Sequence, residues 1–249
     1  MKKYWKFALL GSLAYLVFLI IMMPAAWWFR LLPLPAAIQH GPVTGTLWQG
    51  QIQQVQYQQL QLVELRWQLQ PWSLLLLRAE LQLDSGSMQQ QHLPYLQAQL
   101  RLSPVAVEVR DALLRLPVPA VLPLLELPLP VQAEGNLLFD VSRLVIREQQ
   151  CHELTGSASW LDARLQPPTG TWLNLEHFHA SLRCENNQPL LTTDPANILA
   201  LAIEATVNQQ GQLTVSGTLQ PSAQLPDEVH QAMRFVGTPD AQGRYRLNF

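Results

Sequence analysis

The chain has 249 residues, a formal net charge of −2 and only 14% charged residues, against 48% hydrophobic ones. No basic block occurs, which excludes nucleic acid as the natural partner. Beyond its apolar N-terminus the chain is long enough for one β-rich domain or two small ones.

All three lysines, Lys2, Lys3 and Lys6, precede an uncharged apolar run from Phe7 to Phe29. About 23 residues at 1.5 Å each make a helix of about 35 Å, enough for a hydrocarbon core of about 30 Å with some tilt. Arg30 alone marks the far end. The positive-inside rule therefore holds residues 1–6 in the cytoplasm, makes 7–29 the anchor and sends the remainder across. The competing reading is a cleaved signal peptide with Ala8–Met23 as its apolar region, but neither Ala25 nor Ala26 completes an A-x-A site. Tyr4 and Trp5 at one end and Trp27 and Trp28 at the other suit interfacial belts, and Pro24 is expected to kink the last turns.

Residues 30–40, with Pro33 and Pro35, read as an extended linker. From residue 41 to 249 the pattern is that of strands with one apolar and one wet face. Ile52, Val55 and Tyr57 form a first run, with a candidate bulge at Gln53–Gln54. Leu60 and Leu62 follow, then Leu65, Trp67 and Leu69 after a slip at Val63. The glutamines from Gln49 to Gln61 alternate with these apolar residues and so belong to strands rather than to a low-complexity tract.

Downstream, the period of two recurs at Ala79–Leu83, Ala98–Leu102, Val105–Val109, Leu173–Leu182, Leu201–Val207, Leu213–Leu219 and Tyr245–Phe249. The fold class is therefore mainly β: a predominantly antiparallel domain after a single transmembrane helix. Two short helices are expected, one from Ala120 to Glu126 opened by Pro119, the other from Asp227 to Phe235 stopped by Gly237. The proline-dense stretch near 115–130 is a candidate divide between two halves. Gly45-Thr46-Leu47-Trp48 and Gly156-Ser157-Ala158-Ser159-Trp160 are a faint internal echo of each other.

Cys151 and Cys184 are expected to pair in an oxidising compartment, closing a loop of about 34 residues worth about 4 kcal/mol in the chain-entropy model. Two separate buried thiols are the alternative. His177 and His179 share a strand face, and with His152 and the cysteines they raise a metal reading. The spacing fits no CxxC or HxxxH pattern, and a solvated strand face explains it better. No G-x-S-x-G elbow or phosphate-cradling glycine loop occurs, and lysine is absent beyond residue 6. Acid, base and nucleophile do not gather anywhere, so the chain reads as a non-enzyme without a cofactor. Trp67 shares the register of Leu65 and Leu69 and reads as core. Trp72, after Pro71 at a strand end, is the candidate exposed partner contact.

The layout resembles the protein N family of the type II secretion system. The resemblance rests on a basic N-terminus and one anchor, then on G-x-V-x-G-T-L-W-x-G at Gly41–Gly50 and L-x-W-x-L-x-P-W-x-L-L at Leu65–Leu75. The late cysteine pair and the final G-x-Y-x-L at Gly243–Leu247 add to it. Members often carry a glycine shortly after the double leucine, where Leu77-Arg78 stands here. The resemblance implies a single-pass inner-membrane component with a periplasmic domain, in a machine that exports folded proteins. Its partners would be other secretion components, and the family brings no catalytic residues. Two rivals stand beside this reading: a lipid-handling β-groove protein of the envelope and an outer-membrane β-barrel.

Overall fold

The structure is a computed structural model and describes residues 7, 9–12, 15, 18–19, 22–31, 38–58, 60–125, 131–167, 170–208, 210–223, 225 and 227–248. Lys2, Lys3 and Lys6 lie outside the described residues, as do Pro33, Pro35, Glu126 and Phe249.

Every described residue from Phe7 to Met22 is helical and exposed. Met23 and Pro24 interrupt the run, because Pro24 leaves helical geometry to bridge Thr46. Helix α1 (Ala25–Leu31) then packs on the sheet, burying Ala25. Among the described residues no helix is long and apolar enough to cross a membrane. The expected run thus divides: its described residues from Phe7 to Met22 are exposed, while Ala25–Phe29 belongs to the domain. Arg30 and Leu31 complete α1 and Ile38–His40 already forms a strand, so regular structure takes both ends of the expected linker.

Among the described residues, fourteen strands form one sheet. They are β1 (Ile38–His40), β2 (Val43–Gly45), β3 (Gln49–Tyr57), β4 (Leu60–Leu69), β5 (Ala79–Ser85), β6 (Tyr95–Ser103), β7 (Ala106–Pro117), β8 (Gln132–Arg147), β9 (Gln150–Gln166), β10 (Leu173–Glu185), β11 (Gln188–Thr193), β12 (Ala202–Val207), β13 (Leu213–Leu219) and β14 (Tyr245–Asn248). From β3 to β14 each strand pairs antiparallel with its successor, and β1 and β2 both pair with β3. The path ends at β14, with no pairing back to β1 or β2 among the described residues.

The expected bulge at Gln53–Gln54 does not offset β3 from β4. Ile52 faces Leu65 and Gln54 faces Val63 in one unbroken register, with only the Gln53/Glu64 level missing from the ladder. The slips read separately in the two strands are one event. Both chains change face together, and Glu64 absorbs the turn at a left-handed φ of 53°. Val105 leaves the strand run because Pro104 cannot donate to a ladder, and the two residues form the turn between β6 and β7. The first expected helix, Ala120–Glu126, is shorter and less regular than its sequence suggested. A four-residue helix, Val118–Val121, tightens into a 3-10 turn at Leu122–Leu125, where Pro123 lacks the N–H of an α-helical bond. The second helix runs Asp227–Ala232 and ends in a 3-10 turn, Met233–Phe235, before Gly237 at a φ of 133°.

Burial is uneven. The closed core gathers Ala163, Leu173, Leu175, Phe178, Leu199 and Leu219 beneath Val229 and Met233 of the C-terminal helical segment. Further back, an aliphatic ladder crosses six strands through the paired residues Leu69, Leu81, Leu100, Val109, Leu144 and Leu154. All six are half-buried. The opposite face of the same strands carries charge. Glu80 pairs with Arg101 at 2.9 Å, Glu108 is 2.7 Å from Arg110 and 3.3 Å from Arg143, and Arg143 reaches Glu153 at 3.2 Å.

Candidate interaction surface

The two motif segments meet at one corner of the sheet. Gly45, at a φ of 96°, turns β2 toward β3, and the Thr46 N–H donates to the Gln49 carbonyl at 2.8 Å. Gly50 stands opposite Trp67, and a Cβ there would run into the Trp67 ring. The missing side chain is what lets the indole lie flat on the neighbouring strand. Its Nε1–H donates to the Leu47 carbonyl at 3.1 Å. The Phe29 ring of α1 covers the indole, with centroids 5.6 Å apart. Trp67 is therefore a packed residue, as its register suggested.

The Leu69 N–H donates to the Trp48 carbonyl, and the chain then folds into a built turn. A one-turn helix, Pro71–Leu74, has Pro71 in its first turn, where an N–H is not needed. Ser73 is buried and pins the turn from inside. Its Oγ donates to the Gln70 carbonyl at 2.6 Å and accepts from the Glu80 N–H at 3.1 Å. The turn closes as a Schellman cap: Arg78 N–H donates to Ser73 O at 3.1 Å and Leu77 N–H to Leu74 O at 3.0 Å. The position that closes such a cap takes left-handed φ. Leu77 takes it at 54°, a conformation that costs a leucine about 1–2 kcal/mol and a glycine almost nothing. The departure Leu77-Arg78 thus falls where a glycine would be relaxed.

This rigid turn points outward. Trp72 is 78% exposed, and Leu75, Leu76 and Leu77 are 76%, 71% and 78% exposed. Trp72 was singled out from sequence; the leucines beside it were not. Four consecutive leucines, Leu74–Leu77, interrupting strict alternation were the available signal. At the same end of the sheet, Val105 is also exposed, two strands further on.

Cys151 in β9 and Cys184 in β10 stand at disulfide distance, their Cα atoms 5.6 Å apart. His177 and His179 are exposed, with ring centroids 6.4 Å apart, and the Ser159 hydroxyl lies 3.0 Å from His179 Nδ1. Among the described residues no three His, Cys, Asp or Glu side chains gather to hold a metal ion. Sequence reading also missed Arg115. It is buried, and its guanidinium donates to the carbonyls of Ser87, Met88 and Gln90 at 2.8–3.0 Å, holding the β5–β6 loop.

The family described as Type II secretion system (T2SS), protein N matches residues 36–248. The chain belongs to that family. It is 32% identical over 258 residues to the type II secretion system protein N of Aeromonas hydrophila, covering 100% of this chain and 98% of that one. Similarity to the proteins of the same name from Vibrio cholerae serotype O1 (29% over 255 residues) and Klebsiella pneumoniae (28% over 255 residues) covers 100% and 98% of this chain, and 98% and 94% of theirs. No solved structure matches the chain. Family membership makes it a component of the type II secretion system.

Proposed function

We propose that the chain is a non-catalytic, membrane-anchored subunit whose periplasmic sheet supports the export of folded proteins through contacts with other secretion components. The observation that carries this reading is the corner itself. The two motif segments that mark the family lock together through Gly50, Trp67 and Phe29 and hold a rigid apolar turn in solvent. Trp72 at that turn is the candidate contact, and the short edges β1, β2 and β14 offer backbone groups for strand addition. The anchor is the expected Phe7–Phe29 run, carried by its N-terminal part, whose described residues from Phe7 to Met22 are helical and exposed. Lys2, Lys3 and Lys6 keep the N-terminus in the cytoplasm. Tethering concentrates the domain beside its partners.

The test is deletion of the gene in a host with the remaining machinery, followed by assay of a secreted enzyme in medium and periplasm. Periplasmic accumulation, reversed by the full chain, is the expected result; unchanged export overturns the role. A second reading, lipid handling, is favoured by the half-exposed aliphatic ladder from Leu69 to Leu154. Co-purifying phospholipid in native mass spectra of the detergent-exchanged chain is its signature.

A further inference from the structure

We propose that the Trp72–Leu77 turn is a lipid-inserting tip, which seats the sheet on the same bilayer that holds the N-terminal helix. The proposal rests on the anchored reading and names the partner of the exposed turn as the phospholipid surface.

The connectivity places the two together. The described helical residues of the apolar run end at Met22, and Pro24 bridges Thr46. Thr46 is hydrogen-bonded to Gln49, and Trp48, between them, accepts from Leu69, three residues before Trp72. The helix exit and the turn therefore lie at one end of the sheet, separated by the width of β3 and β4, about 10 Å at ordinary strand spacing. Trp27 of α1 is 58% exposed beside that exit, and the Pro104–Val105 turn lies two strands beyond Trp72. Two tryptophans, three leucines and a valine are thus exposed at one end of the sheet. The other end of the β4–β7 region carries the polar Ser87–Gln91 loop, where exposed apolar surface is confined to Met88.

The chemistry fits an interface. Tryptophan prefers the headgroup level and leucine the acyl boundary, and no acidic residue occurs from Pro71 to Ala79. Arg78, exposed at the base of the turn, suits anionic headgroups. The turn is also preorganised. Ser73 and the Schellman cap fix it, so insertion orders nothing new, and a strained leucine persists at a position that structure alone would give to glycine.

The experiment uses the full chain in vesicles of phosphatidylethanolamine and phosphatidylglycerol. A polarity-sensitive nitrobenzoxadiazole label is placed at Leu76→Cys or, at the opposite end, at Gln89→Cys, with the unsubstituted chain as labelling control. A blue-shifted emission at position 76, quenched by doxyl lipids, with position 89 unquenched, is expected. A hydrated label at 76 in chains that resist alkaline extraction overturns the tip and leaves the anchor. Lipid quenching at 76 in chains that alkali extracts supports the tip and overturns the anchor. A label hydrated in lipid alone but shielded on adding other secretion components overturns lipid in favour of a protein partner.

Discussion

Trp67 and Trp160 solve the same packing problem with different support. Each indole lies against a glycine of the neighbouring strand, Gly50 or Gly135, and each Nε1–H donates to a backbone carbonyl, of Leu47 or Glu134. Each has a second ring 5.6 Å away. Behind Trp160 that ring is Phe178, a buried member of the closed core under the C-terminal helix. Behind Trp67 it is Phe29, on a seven-residue helix entering from the N-terminal run. The C-terminal corner is held by its own sheet. The N-terminal corner is completed by the helix that follows the N-terminal apolar run, so its order depends on a segment outside the sheet.

The contrast is broken most directly by removing the indoles. Trp160→Ala should cost about 4 kcal/mol, the scale of an aromatic lost from a core, and Trp67→Ala about 2 kcal/mol. Urea unfolding of the full chain in mild detergent measures both, and equal losses would deny the difference in backing. Phe29→Ala should reproduce part of the Trp67 loss, with a coupling of about 1 kcal/mol in the double-mutant cycle.

The cysteine pair sharpens the same contrast. Replacing Cys151 and Cys184 together by serine should cost about 3 kcal/mol, below the full chain-entropy value of about 4 kcal/mol. Hydrogen exchange should rise in β9–β11 and leave the Gly50–Trp67 corner unchanged. Identical stability with and without reductant would mean that the bond does not form in the protein.

The glycines rank next. Gly135→Ala should cost about 3 kcal/mol, because its φ of 105° is left-handed and the new Cβ would lie 2.7 Å from the Asp162 carbonyl oxygen. Gly50→Ala carries no such φ. Its Cβ would meet the Trp67 ring, held by Phe29 and by the bond to the Leu47 carbonyl, and the Thr44 carbonyl oxygen, so about 2 kcal/mol is expected, with loss of the Phe29–Trp67 contact. Tryptophan fluorescence should report that displacement for Gly50→Ala.

The antiparallel class was legible because one-sided burial imposes a period of two, clear in β5, β6, β12 and β13. β8 and β9, the longest strands, were not. Leu137, Leu138 and Phe139 are apolar in succession and all half-buried, and Ser157, Ala158 and Ser159 are small, so neither segment alternates. The faint echo between Gly45–Trp48 and Gly156–Trp160 falls on unlike places, a turn between β2 and β3 and the interior of β9. The equivalence lies instead between Trp67 with Gly50 and Trp160 with Gly135. It was hidden because each pair joins residues from two strands, and pairing register is a tertiary property. At the candidate site, Trp72 was legible from Pro71 and a strand end. Leu77 was legible only as a departure, since its cost depends on a φ that sequence does not display.

Glu108 links the two regions, and it sets the smallest effect. On the wet face its carboxylate is shared among Arg110, Arg143 and, at 3.7 Å, Arg101, across β6, β7 and β8. The hydrogen bond from Arg110 is the main cause that holds its pKa below the ordinary value, aided by the charges of Arg110, Arg143 and Arg101 and opposed by partial burial. A carboxyl with a depressed folded pKa contributes its stability in full above the unfolded pKa of about 4.3, and loses it as the pH falls through the lower folded value. Solvent screens the network, so Glu108→Gln should cost only about 1 kcal/mol at neutral pH. That difference should shrink below about pH 4, as the wild-type carboxyl becomes protonated and neutral like the amide. Denaturation midpoints at neutral and acid pH measure it. A difference that persists unchanged in acid would assign the loss to packing in the middle of the sheet rather than to charge, and the link between the two corners would then be steric.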